Sequence, residues 1–136
     1  MLEFIAARGS ASFLQTPAWA RVKSEWRGER IGFYDGDELT GVGLILYRKL
    51  PKLPRHLAYL PEGPVLDWSR DDIAGHFDAL VAHVKKRQAF AVRIGPAVVH
   101  HIWGTKTIKD AIADDNVTSL TEVEPDVTTP EGERVM

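Results

Sequence analysis

LAYLPEGPVLDW, residues 57–68, begins as a strand and then contradicts itself. Leu57-Ala58-Tyr59-Leu60 is apolar and extended in character. Pro61-Glu62-Gly63-Pro64 breaks it, and Val65-Leu66 resume before Asp67-Trp68. Proline withholds a donor from a strand ladder, and glycine lets backbone approach another group closely. Two readings stay open: two strands joined by an ordinary β-turn, or one strand that stops pairing at Pro61 so that irregular backbone lines a cleft.

The segments before this stretch supply a sheet. In ERIGFYDGDELTGVGLILYRKL, Ile31 and Phe33 alternate with small or polar residues, and Asp35-Gly36-Asp37 is turn chemistry. Val42 and Leu44 to Tyr47 form a nearly continuous apolar run, as a central strand does. The pair predicts a β-hairpin, with Gly41 and Gly43 read as sites of close packing or a bulge. RKLPKLPR (48–55) then carries Arg48, Lys49, Lys52 and Arg55 between two prolines, a basic non-helical connector. Further upstream, QTPAWARVKSEW reads as a helix with Thr16 as cap and Pro17 at its first position. Trp19, Val22 and Trp26 fall on one face as core anchors, and Lys23 lies at the border of that stripe. Residues 3–6 read as an edge strand.

The segments after it supply helices. SRDDIAGHFDALVAHVKKR predicts the longest helix, with Ser69 as cap, Asp71 and Asp72 in the first turn, and Lys85, Lys86 and Arg87 in the last. Its buried stripe is Ile73, Phe77, Leu80, Val81 and Val84. AFAVRIGP (89–96) reads as a short buried strand ending at Gly95-Pro96, and residues 105–113 as a last helix. The order predicts an α/β (α+β) fold: a mixed, largely antiparallel sheet flanked by helices. Residues 1–113 form the expected domain; 114–136 lack periodicity and read as an acidic linker or loose tail.

Bulk properties narrow the function classes. The chain has 136 residues, about one domain's worth, with 44% hydrophobic and 26% charged residues, as in soluble globular proteins. No apolar run approaches the ~20 residues of a membrane span, and the N-terminus lacks a signal layout, so a cytoplasmic location is expected. Without cysteine there is no disulfide or thiolate site. Residues 1–113 hold sixteen Lys/Arg against twelve Asp/Glu, and 114–136 hold one against seven. A mildly basic body suits an anionic ligand, although solvated surface explains the same numbers. His76 and His83 are seven apart and His100-His101 adjacent, with nothing completing a zinc set, so no metal is expected. No Ser-His-Asp or Cys-His constellation can be argued. Neither a P-loop nor a dinucleotide fingerprint is present.

Three stretches, FLQTPAWARVKSEW (13–26), LAYLPEGPVLDW (57–68) and FAVRIGP (90–96), resemble in order and spacing the N-terminal half of the FemABX family. These are the peptidoglycan aminoacyltransferases that build interpeptide bridges. The likeness extends more weakly over WGTKTIKDAI and covers about 100 residues. It implies the first of two GNAT-like domains in an enzyme that moves an amino acid from aminoacyl-tRNA to the stem-peptide side-chain amine of a peptidoglycan precursor, UDP- or lipid-linked. The first domain would form much of the precursor cleft, and a second, missing here, would receive the tRNA. Lys23 matches a family position that contacts the precursor's diphosphate, and a compact cation on an aromatic helix face suits that charge.

The expected cleft residues are Lys23, Tyr59, Gly63 and Arg93, although a salt bridge from Arg93 to Asp67 or Asp78 is equally compatible with the sequence. Where some relatives carry an acid before the proline of the RIGP-like segment, this chain has Gly95, and Phe90 lacks the hydroxyl some relatives have, so no catalytic residue is assigned. The chain stops at Met136, where a full member continues. A non-catalytic precursor- or partner-binding half-domain is therefore the alternative, with self-association through the exposed domain interface. A CoA-dependent N-acetyltransferase is disfavoured because no Gly-rich pyrophosphate loop feeds a helix; no cofactor is expected.

Overall fold

The computed structural model describes residues 1–8 and 11–135, in two compact units, 1–97 and 98–136. In the first unit the order is α1 (Leu2–Ala6), a 3₁₀ turn (Phe13–Gln15), α2 (Pro17–Val22), β1 (Arg27–Asp35), β2 (Glu38–Lys49), β3 (His56–Leu60), β4 (Val65–Leu66), α3 (Ile73–Lys86) and β5 (Ala89–Ile94). The sheet runs β1-β2-β3-β5, with β4 also pairing β2; only β3–β5 is parallel. The mixed, mostly antiparallel class is as the sequence predicts.

β1 and β2 form the expected hairpin, closed by Gly36-Asp37, and Gly36 takes the left-handed φ of +58° that such a turn requires. β2 is the central strand, buried from Thr40 to Tyr47. Side chains alternate across it. Ile45 and Tyr47 join Ala58, Leu60, Leu80 and Val84 in the core beneath α3. Leu44 and Leu46 are turned to the other face, where Ala20 of α2 lies against Gly28.

The break in 57–68 is neither a simple hairpin nor an open wall. β3 and β4 run along the same side of β2: Leu46 faces Tyr59 before the break, and Val42 faces Val65 after it. Four steps of β2 are thus matched by six of its partner. The surplus bows out as Pro61-Glu62-Gly63-Pro64, with a cis bond before Pro64. The side chain of Gln15, fully buried, fills the gap. Its Oε1 accepts from the Leu44 amide at 2.8 Å and its Nε2 donates to the Pro61 carbonyl at 2.6 Å. One carboxamide supplies the donor and acceptor that a missing ladder step would have supplied.

Several expectations are corrected. Residues 3–6 belong to helix α1, held by the Ile5 amide on the Met1 carbonyl and the Ala7 amide on Glu3; Leu, Glu and Ala favour that state when no strand pairs with them. α2 ends at Val22, which is 65% exposed, and the chain leaves the helix at Lys23, so Trp19 and Trp26 are half-buried rather than core. The Thr16 hydroxyl donates to the Phe13 carbonyl instead of capping α2. α3 starts at Ile73, because Ser69 closes a turn on Asp67 through its amide and hydroxyl. His76 takes a buried place in the α3 face. β5 is an edge strand, half-buried at Ala89, Val92 and Ile94 and exposed at its other positions.

Residues 98–135 are also ordered. β6 (His101–Ile102) pairs with β7 (Val127–Thr128), and α4 (Thr105–Ala113) matches the predicted helix. Composition hides the order of 114–135, whose acids do local work. Asp126 accepts from the Gly104 amide and the Thr107 hydroxyl at the start of α4, and Glu122 accepts from Thr118. A closing helix, α5 (Pro130–Val135), follows.

Candidate functional site

The two faces of the first unit's sheet differ in kind. Under α3, charges are paired. Glu29 accepts from the Tyr47 hydroxyl at 2.8 Å and from Arg87 at 2.7 Å, with His83 at 3.2 Å. Burial works to raise the Glu29 pKa, but the hydrogen bonds from Arg87, Tyr47 and His83 outweigh it and hold the carboxyl at about 2. Burial, and then the carboxylate it serves, push the Tyr47 hydroxyl up. His76 lies between the Thr40 hydroxyl and the Asp72 carbonyl. A hollow of ≈ 420 Å³ lined by Glu29, Ile31, Ala79 and His83 opens along β1. Its carboxylate is already engaged by Tyr47, Arg87 and His83, and Arg30 lines the same hollow.

The opposite face carries the candidate site. Leu46, Tyr59 and Arg93 form one row across β2, β3 and β5. The Arg93 guanidinium lies 5.6 Å from the Tyr59 ring centre, and Trp26 stands 6.2 Å from the same ring. Arg48 sits over Trp26 at 5.6 Å. Arginine, tyrosine, tryptophan and arginine therefore follow one another in contact. Lys23 enters through the turn it shares with Trp26, whose amide bonds the Lys23 carbonyl, and its ammonium lies 5.3 Å from the Trp19 ring. Cations over aromatic faces are held in place while their outer sides remain free for an anion.

Of the four expected cleft residues, Tyr59 and Arg93 touch and Lys23 joins them through Trp26. Arg93 stacks on Tyr59, and among the described residues it makes no salt bridge to Asp67 or Asp78. Gly63 is buried, and its close approach is to Gln15: a Cβ there would stand 2.2 Å from the carboxamide carbon. Gln15, Trp26 and Arg48 were missed. In the sequence Gln15 has no evident role within FLQTPAW, Trp26 falls on the apolar stripe of a helix, and Arg48 belongs to a basic run. An unexplained polar residue amid apolar neighbours, just before a helix, was the one signal for Gln15.

The FemAB family profile matches residues 2–123. A lipid II:glycine glycyltransferase of Staphylococcus saprophyticus is 34% identical over 98 residues, covering 70% of this chain and 24% of that protein. The protein of the same name from Staphylococcus haemolyticus is 35% identical over 101 residues, covering 70% and 23%. The chain thus spans about a quarter of the length of these relatives. Among solved structures, the crystal structure of FemX superposes with a TM-score of 0.63 at 30% identity, covering 82% of this chain and 28% of FemX. With the match spanning most of its length, the chain belongs to the FemAB family.

Proposed function

We propose that this chain is the precursor-binding N-terminal part, the first of two GNAT-type domains, of an aminoacyltransferase that acts on a peptidoglycan precursor in the cytoplasm. The observation that carries the reading is the contact row Arg93–Tyr59–Trp26, with Lys23 in the same turn as Trp26, on the face that α3 leaves open. Lys23 and Arg93 would meet the precursor's diphosphate, and the aromatic rings would carry its sugar and peptide. Membership of the FemAB family and relatives named for lipid II point to the same substrate class. Gly63 would act at one remove, by fixing the arc that follows Tyr59.

In the whole enzyme the acceptor amine attacks the ester carbon of the aminoacyl-tRNA. The amide C–N bond forms, the ester C–O bond breaks, and the amine's proton ends on the departing ribose oxygen. Orientation and charge stabilisation would supply most of the acceleration. The tRNA would bind through the second domain, and self-association would use the face that this domain covers.

Calorimetric titration with a UDP-linked muramyl pentapeptide tests the reading. Binding is expected to weaken with added salt, and by ~1–3 kcal/mol in Lys23→Ala. A folded protein that binds without any dependence on Lys23 or Arg93 would overturn the assignment of this face.

A further inference from the structure

The first unit is electrically polarised along its strands. β2 runs from Glu38 to Lys49, and the register sets its basic end beside the start of β1, the start of β3 and, through His56 and Ala89, the start of β5. The end of α3 arrives at the same pole, because Arg87 reaches Glu29. Lys49, Lys52, Arg55, Lys85 and Lys86 are exposed there, and among the described residues none of them has an ion pair. Glu29 is occupied by Arg87 and His83. The opposite pole holds Asp35, Asp37, Glu38, Asp67 and Asp72 in the β1–β2 turn and before α3. Arg70 is the counter-ion of two of these acids.

The basic pole also has an apolar tip. Leu53 is 53% exposed in the β2–β3 connection, between Lys52 and Arg55, with a proline on each side of the Lys52–Leu53 pair. Phe90, 48% exposed, lies at the β5 bulge opposite His56 and Leu57, where the connection enters β3. Aliphatic and aromatic tips ringed by lysine and arginine are what a protein presents to the boundary between headgroups and acyl chains. A nucleic acid would call for several aromatic faces along a groove, whereas this pole presents one exposed ring, Phe90, and an aliphatic Leu53.

We infer that this pole docks the unit on an anionic phospholipid surface, with the 50–55 connection at the headgroups and the acidic pole turned away. The inference rests on the function proposed above in one respect: a precursor joined to lipid through a diphosphate keeps that group in the headgroup plane. Arg48 belongs to both surfaces, since it stacks on Trp26 and starts the basic connection.

Co-sedimentation with phosphatidylcholine vesicles, with and without phosphatidylglycerol and free of any precursor, tests this apart from the titration above. The chain is expected to bind the anionic vesicles alone and to be released by salt. Replacing Lys49, Lys52 and Arg55 together with glutamine lowers partitioning by on the order of a hundredfold, at about tenfold or less per cation. Lys85→Gln with Lys86→Gln lowers it from a separate element, Leu53→Ser weakens it without a charge change, and Arg70→Gln, at the acidic pole of the same unit, does not lower it. Equal binding to neutral vesicles, or no binding, overturns the inference. So does preferential capture of a single-stranded RNA that these same glutamine variants release, which would make the pole a nucleic-acid surface.

Discussion

The α3 face and the open face of one sheet handle charge in opposite ways. Beneath α3 the ionised Glu29 is satisfied from within, held by Tyr47, Arg87 and His83. On the open face the cations are held by aromatic rings, which steady them without cancelling their charge. The difference separates groups that serve stability from groups left available to a ligand. It also predicts where a substitution will be felt.

The largest loss is expected in the core. Leu80→Ala should cost ~2–5 kcal/mol in urea unfolding, since it empties a fully enclosed site beneath α3. Gln15→Leu comes next. It leaves the Leu44 amide and Pro61 carbonyl buried without partners, at roughly 1–3 kcal/mol for each group, and so tests whether the open-face side of the sheet depends on that carboxamide. Glu29→Gln should act through pH. The folded carboxyl sits near 2 against an ordinary 4.5, so it adds stability above pH 4.5 that is lost as pH falls toward 2. The wild type should therefore lose roughly 2 kcal/mol more than the variant over that interval, after allowing for partial solvent exposure. The smallest effect on stability belongs to Arg93→Ala, within about 0.5 kcal/mol, because its ring contact is at the surface. If Arg93→Ala unfolds the protein, the two faces do not divide labour as described.

Much of the fold was legible because it rests on short-range rules. Asp35-Gly36-Asp37 announces a hairpin turn, and the apolar run from Val42 to Tyr47 announces a central strand. Ile73, Phe77, Leu80 and Val84 announce a helix by spacing alone. The misreadings share a cause. Trp19 and Trp26 are seven apart, but the helix stops at Val22, so periodicity described a face that the chain does not build. The acids of 114–136 looked like a solvated tail, although Asp126 serves the start of α4 twenty-two residues away from it in sequence. Of the candidate site, resemblance singled out Lys23, Tyr59 and Arg93, and the register of β3 with β5 is what sets Tyr59 beside Arg93. No local rule could reveal that Gln15 would enter a gap between strands, because its partners lie 29 and 46 residues away.

That distance gives the Gln15 bridge a meaning for folding order. The β1–β2 hairpin closes over a two-residue turn, so local chain can form it early. The span around Leu44 is completed only when the N-terminal segment docks, closing a much longer loop at greater entropic cost. Amide hydrogen exchange at Leu44 should therefore report on the attachment of residues 13–16, while its strand neighbours report on the sheet. A Leu44 amide that exchanges faster than those neighbours would mark the undocked N-terminal segment as a distinct, less stable unit of the native protein.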